Sequence, residues 1–404
     1  MNTDVNDFAD EPESVDADMA SIFARETYAQ RSPAPRPFEP WHRPRKQFVR
    51  EEVWGAEIDW LITQKHTTDE NVRYLGLPGA DLLDLRYIYQ EFCKTGEHRL
   101  RFLGFDSAGL PDSLHGDALN VSLQEVRSLP HVDKGSEVLG DNFRLLADRR
   151  SIAWAAAERM GPFDIVNIDL CGQLAAEEPA MDVSIYNAIY NICALQNRRP
   201  SPWSLLLTSR IDQGDVSQAA LEKLVKALKH NLENCPNFLQ GFSDIVGLND
   251  VSADTFAALA DEAFLNTTMI GLAKWLLGLA CNINNRFSVS NIVGYRVYGG
   301  APHFDMVSVV YRFVPVVVMP ADRIGLATAR PEPSSECEQA AVIPYAIAGI
   351  LDVDTKLRDA PELYDIFRDK TAELLQQARY DPVAYKEWAD SKREPILKEV
   401  ELYV

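Results

Sequence analysis

The residues best suited to chemistry in this chain stand just after short apolar runs. Asp106 follows "FLGF", Asp141 and Asn142 follow "VLG", and Asp169 and Cys171 lie at the end of "FDIVNIDLC". Gly76 and Gly79 bracket a Leu-Pro pair after the first such run, "VRYL". Carboxylates and amides in these places can accept hydrogen bonds from a ligand or receive a proton, and bare glycine backbone lets a ligand approach closely. Each also has a plainer use: Asp and Asn close turns and cap helices, and a small cysteine packs well in an α/β core. Their recurrence after successive runs makes them a candidate set, because open α/β sheets bind ligands at the carboxyl ends of their strands.

Those residues need a sheet to gather them. Apolar runs over 72–77, 100–105, 136–140, 163–170 and 203–209 read as strands. Between them, helices are predicted over 80–96, with Gly96 as the left-handed cap, and over 118–129, 149–161, 181–197 and 217–232. Five strands alternating with helices predict an α/β fold built on a doubly wound, mostly parallel sheet covered on both faces. Residues 287–300 and 304–318 are β-branched and read as an antiparallel hairpin joined through "APH". A helical insertion occupies 240–284, and C-terminal helices follow Pro344. The apolar run 267–283 is short for a bilayer and carries Lys274, so it reads as a buried helix with no membrane role. The organisation predicted is a disordered acidic tail and basic proline-rich arm over 1–50, a Rossmann-like domain over 51–320, and a linker with a C-terminal helical extension over 321–404.

This order of elements resembles the class I S-adenosylmethionine-dependent methyltransferases, whose sheet has five parallel strands and then an antiparallel final pair. The resemblance covers residues 70–315 and lies in motif order more than in spelling. It implies S-adenosylmethionine as cofactor, with Gly76 and Gly79 along its methionine part, Asp106 accepting from the ribose hydroxyls, and Asp141 with Asn142 at the adenine. Pro78 removes one N–H from that glycine turn. It also implies that Asp169 is the catalytic acid that positions the methyl acceptor. "IDLCG" is loosely similar to the Asp-Leu-Asp-Pro-aromatic-Gly motif of tRNA guanine-N2 dimethyltransferases, without its proline and ring. A cysteine nucleophile of the pyrimidine C5-methyltransferase kind would fall on Cys171, though without the neighbouring proline. The altered glycine turn and missing prolines fit a second reading, a Rossmann-like binding or complex-forming subunit that has lost catalysis.

The formal net charge of −20 is unevenly spread. Residues 1–24 hold seven acids and no Lys or Arg. Arg31, Arg36, Arg43, Arg45, Lys46 and Arg50 then crowd into twenty residues with Phe38, Trp41 and Phe48. Such an arm can lie along RNA or DNA, its cations on phosphates and its rings on bases. It can equally be a strap whose rings tuck inward and whose cations meet the acidic surface. Six cysteines without C-x-x-C or metal spacing predict neither disulfides nor structural zinc. The sequence has no G-x-S-x-G, G-K-[ST] or H-E-x-x-H motif, which argues against hydrolase and NTPase classes. The acidic start predicts a cytoplasmic chain. The helical insertion and the C-terminal helices offer surfaces for a protein partner.

Overall fold

The computed structural model describes residues 36–64, 71–106, 116–176, 182–297, 304–316 and 335–401. The acidic tail, Arg31, the "APH" connection and most of the expected linker lie outside them.

A helical strap comes first: α1 (Pro44–Phe48), a π-helical turn (Val49–Gly55) and α2 (Ala56–Thr63). Strands and helices then alternate through β1 (Asn71–Gly76), α3 (Leu83–Ile88), β2 (Arg99–Phe105), α4 (Gly116–Ser128), β3 (Glu137–Leu139), α5 (Ile152–Met160), β4 (Ile165–Gln173), α6 (Ile185–Gln196), β5 (Trp203–Arg210) and α7 (Gln218–Asn234). The insertion is α8 (Pro236–Val246), α9 (Ala253–Ala257) and α10 (Asp261–Asn282). β6 (Asn285–Tyr295) and β7 (Met306–Pro315) form the hairpin. The chain continues through α11 (Glu336–Ala341), α12 (Ile343–Ala348), β8 (Leu351–Asp352), α13 (Val353–Asp359), α14 (Pro361–Gln377) and α15 (Pro382–Glu401).

The eight strands form one sheet in the order β3-β2-β1-β4-β5-β7-β6-β8. β1 to β5 pair in parallel, and β7 runs antiparallel between β5 and β6. Alternation along each strand feeds two cores: Leu205 and Leu207 of β5 pack with α5, α6, α7 and α10, whereas Leu206 packs with the strap, α3 and α14. The order reverses between β1 and β4, which opens a crevice beyond their carboxyl ends. Gly76 pairs with Asn167 there, two residues before Asp169.

α10 is long and apolar enough to cross a membrane, but 83% of its apolar window is buried inside the protein. Its Lys274 pairs with Glu336 of α11. It is a core helix.

Three features differ from the sequence reading. The compact unit begins at Phe38 rather than 51, because the aromatic residues of the supposed arm find apolar partners. Phe38 packs on Tyr380, Tyr385 and Trp388, and Phe48 meets Phe367 edge-on. Trp41, by contrast, is 49% exposed. The strap is further pinned to the sheet by Trp54 Nε1 donating to Ser308 Oγ at 3.2 Å, and by Arg312 Nε donating to Glu57 Oε2 at 2.8 Å. The described C-terminal elements join the same unit, with β8 extending the sheet beside β6. Finally, Cys235 and Cys337 form a disulfide with Cα atoms 5.4 Å apart. The expectation of no disulfide fails because 102 residues separate the pair, and only the packing of α8 against α11 brings them within bridging reach.

Candidate functional site at the strand ends

The site is assembled where β1, β2 and β4 finish. Asp106 stands directly after β2, and its N–H donates to Leu139 O at 3.1 Å, tying the end of β2 to that of β3. β4 runs on past Asp169, with an irregularity between Asp169 and Gln173 that leaves Cys171 and Gly172 exposed. Partial burial raises the Cys171 thiol above its ordinary range, the Asp169 and Asp106 carboxylates push the same way, and Lys46 opposes them. Asp106, Asp169, Cys171 and Lys46 thus share one electrostatic neighbourhood, and Cys171 is held as a thiol, which is unfavourable for a nucleophile.

Lys46 is the residue that the sequence reading placed elsewhere. From α1 its Nζ reaches Asp169 Oδ1 at 2.7 Å and lies 4.6 Å from the centroid of the Trp54 ring. Burial works against its charge, but Asp169, Tyr295 and Asp84 outweigh that and raise its pKa. One helical turn on, Arg50 Nε meets Asp84 Oδ1 at 2.8 Å with both side chains buried. Burial raises the Asp84 carboxyl, and Arg50 opposes the rise. Arg45 Nη2 lies 3.1 Å from Asp354 Oδ1, and Arg43 Nη1 donates to Val297 O at 3.3 Å. In the described part of the basic segment, the cations at 45, 46 and 50 therefore end on carboxylates of the same chain. A chain so rich in acids supplies these partners, and each cation buried with its carboxylate escapes the cost of a lone buried charge.

Between the two ion pairs lie Tyr74 and Asn167. Both are buried, and the Tyr74 hydroxyl sits beside the Asn167 side chain, close enough for a hydrogen bond that opposes the rise of its pKa. Burial raises the Tyr74 phenol well above its ordinary value, with Asp84 adding to the rise. The Tyr74 side chain also explains Gly76. A Cβ at Gly76 would stand 2.6 Å from the Tyr74 hydroxyl and 2.5 Å from Asn167 O, so its bareness serves packing inside the protein. Gly79 differs: it has φ +66°, and nothing lies within 4 Å of where its Cβ would be. Pro78, between them, sets its ring against Gly104 of β2.

Asp141 and Asn142 follow β3 as expected but serve their own turn. Asp141 Oδ1 accepts from Asn142 N at 2.8 Å. Asn142 Oδ1 accepts from Arg144 N at 2.9 Å and caps the 3-10 turn Phe143–Ala147. The structure gathers Asp106, Asp169 and Cys171, keeps Gly79 open beside β1, and gives Gly76, Asp141 and Asn142 structural work.

The sequence reading missed Lys46, Arg50, Asp84, Tyr74, Asn167 and Tyr295. One signal was present: Lys46 and Arg50 are four residues apart, the spacing that puts two side chains on one helical face. The carboxylates they meet could not be read from that spacing.

The fold and site define a doubly wound α/β protein with a polar, ion-paired crevice at its topological switch point. The chain belongs to the PP_RS20740-like family, whose family model matches residues 35–390, a span that takes in the strap, the sheet, the insertion and most of the C-terminal helices. No match to a curated protein was found.

Proposed function

We propose that the crevice binds S-adenosylmethionine and that the chain transfers its methyl group. The observation that carries this reading is the convergence of Asp106 and Asp169, from the ends of β2 and β4, beside the switch point of a sheet that closes with an antiparallel β7. The residues fit the cofactor in two respects. Asp106 supplies a carboxylate for the ribose hydroxyls, and Gly79 offers unobstructed backbone. When bound, the cofactor supplies a methyl group on a positively charged sulfur.

The chain's own residues then hold and align. Lys46 fixes Asp169 through Oδ1, so Oδ2 is the oxygen offered to the acceptor, where it can orient a donor group and take its proton. The acceptor is left open in this reading, since a nucleic acid would have to be held by cations other than Arg45, Lys46 and Arg50. A cytoplasmic location belongs to the same proposal.

A second reading, a binding or complex-forming subunit without catalysis, is favoured by the Lys46–Asp169 pair itself, which neutralises the acid meant for the acceptor. The two are separated by incubating the purified chain with S-adenosylmethionine and a cell extract as source of acceptor. Formation of S-adenosylhomocysteine that is lost in Asp169→Asn supports methyl transfer. No formation above background with the wild-type chain overturns it and leaves the second reading.

A further inference from the structure

A cleft that the proposed methyl transfer does not use lies between α6, α7 and α10. Its cavity of about 250 Å³ is lined by Tyr186, Asn187 and Tyr190 of α6, Lys223 and Leu224 of α7, and Trp275 of α10. About 150 Å³ is enough to hold benzene, so this space takes a small organic molecule rather than a single water. The helices explain the opening. α7 and α10 close up at Gly271, where a Cβ would stand 3.3 Å from Leu224. One turn further along α10, the Trp275 ring meets that of Tyr186 edge-on, with centroids 5.4 Å apart.

Three rings and one cation give the lining its chemistry. Tyr186 and Trp275 stand at 78° to each other, and Tyr190 is 53% exposed. An aromatic ligand set beside such a pair can stack on one ring and meet the edge of the other. The Tyr186 hydroxyl donates to Leu174 O and Asn187 Nδ2 to Asp182 O, each at 3.1 Å, so both side chains are fixed parts of the wall. Lys223 is exposed and has no hydrogen bond or ion pair among the described residues, although Asp and Glu number 60 in this chain against 40 Lys and Arg.

Aromatic walls alone would suit an organic cation, which the face of a ring attracts, but Lys223 repels one. A flat molecule with a negative group satisfies the rings and the ammonium together. We propose that this cleft binds a small planar aromatic carboxylate, its ring among Tyr186, Tyr190 and Trp275 and its carboxylate at Lys223. The cleft shares no lining residue with the crevice of Asp106 and Asp169, and the proposal does not rest on methyl transfer.

The test is calorimetric titration of the full chain, with no methyl donor present, using indole-3-carboxylate, the neutral indole-3-carboxamide and the non-aromatic cyclohexanecarboxylate. The wild-type chain is expected to bind indole-3-carboxylate about fivefold more tightly than the amide and about tenfold more tightly than cyclohexanecarboxylate. Lys223→Gln is expected to weaken the carboxylate about fivefold and leave the amide unchanged. Tyr190→Ala is expected to weaken both indoles about tenfold. Both replaced side chains are exposed, so each variant should keep the fold. The proposal is overturned if the wild-type chain binds none of the three, if cyclohexanecarboxylate binds as tightly as indole-3-carboxylate, or if both variants bind as the wild type does. Self-association of the wild type in sedimentation velocity that Tyr190→Ala abolishes would give this face to a second copy of the chain and overturn it equally.

Discussion

Lys46 Nζ stands 2.7 Å from Asp169 Oδ1, joining a helix that precedes the first strand to the end of the fourth. The pair is lopsided: the Lys46 side chain is 5% exposed and that of Asp169 20%. Removing the carboxylate leaves the ammonium buried, whereas removing the ammonium leaves a carboxylate that water can reach.

Asp169→Asn should therefore cost more stability than Lys46→Met, about 3 kcal/mol against about 1. The raised Lys46 pKa fixes the pH window. Its stabilising contribution is fully present below the unfolded lysine value of about 10.4 and is lost as pH climbs through the still higher folded value. Urea midpoints of the wild type and Lys46→Met should differ by a constant amount up to about pH 10 and converge only above it. Convergence near neutral pH would show that the pair does not hold the strap.

Cys171 is exposed, yet its thiol is held above its ordinary range by partial burial, Asp169 and Asp106. Alkylation by iodoacetamide should be slow at neutral pH and rise with a midpoint above that of a free thiol. Lys46→Met should move the midpoint higher still, because Lys46 opposes the shift. A fast reaction at neutral pH would restore Cys171 as a candidate nucleophile.

Gly76 and Gly79 should respond differently to alanine. At Gly76 the new Cβ meets Asn167 O and the Tyr74 hydroxyl at 2.5 and 2.6 Å, and the parallel pairing with β4 gives little room to move. A loss of about 2–3 kcal/mol is expected there. At Gly79 only the positive φ is strained, at about 1 kcal/mol. Thermal melts of the two variants decide it, and an equal loss would contradict the packing at Gly76.

Linking Cys235 to Cys337 closes a loop of 102 residues. On chain-entropy grounds, Cys337→Ser should lower stability by about 4.7 kcal/mol, and dithiothreitol should bring the wild type down to the variant. A wild-type melt unchanged by dithiothreitol would mean that the pair is not bridged in solution, as a reducing compartment would also keep it.

How much of this was legible varies with the range of the interaction involved. The strands and their helices were readable because the period-two and helical patterns are local, and each of the seven expected strands forms within a few residues of its place. The order of strands was not, since inserting β7 between β5 and β6 depends on pairings such as Leu205 with Tyr311 and Phe287 with Phe313. The strap was misleading for the same reason. Proline, arginine and aromatic residues look the same in a free arm and in a packed one, and what decides is Asp169, which lies 123 residues from Lys46. Asp141 and Asn142 show the converse, since a residue at a strand end can be spent on its own turn.

Titration with S-adenosylhomocysteine tests the proposed site most directly. The wild-type chain is expected to bind it, and Asp106→Ala to bind more weakly by about 1–3 kcal/mol at a temperature where both proteins are folded. Equal affinity in the two proteins would remove Asp106 from the site, and no binding by the wild-type chain would contradict the cofactor itself.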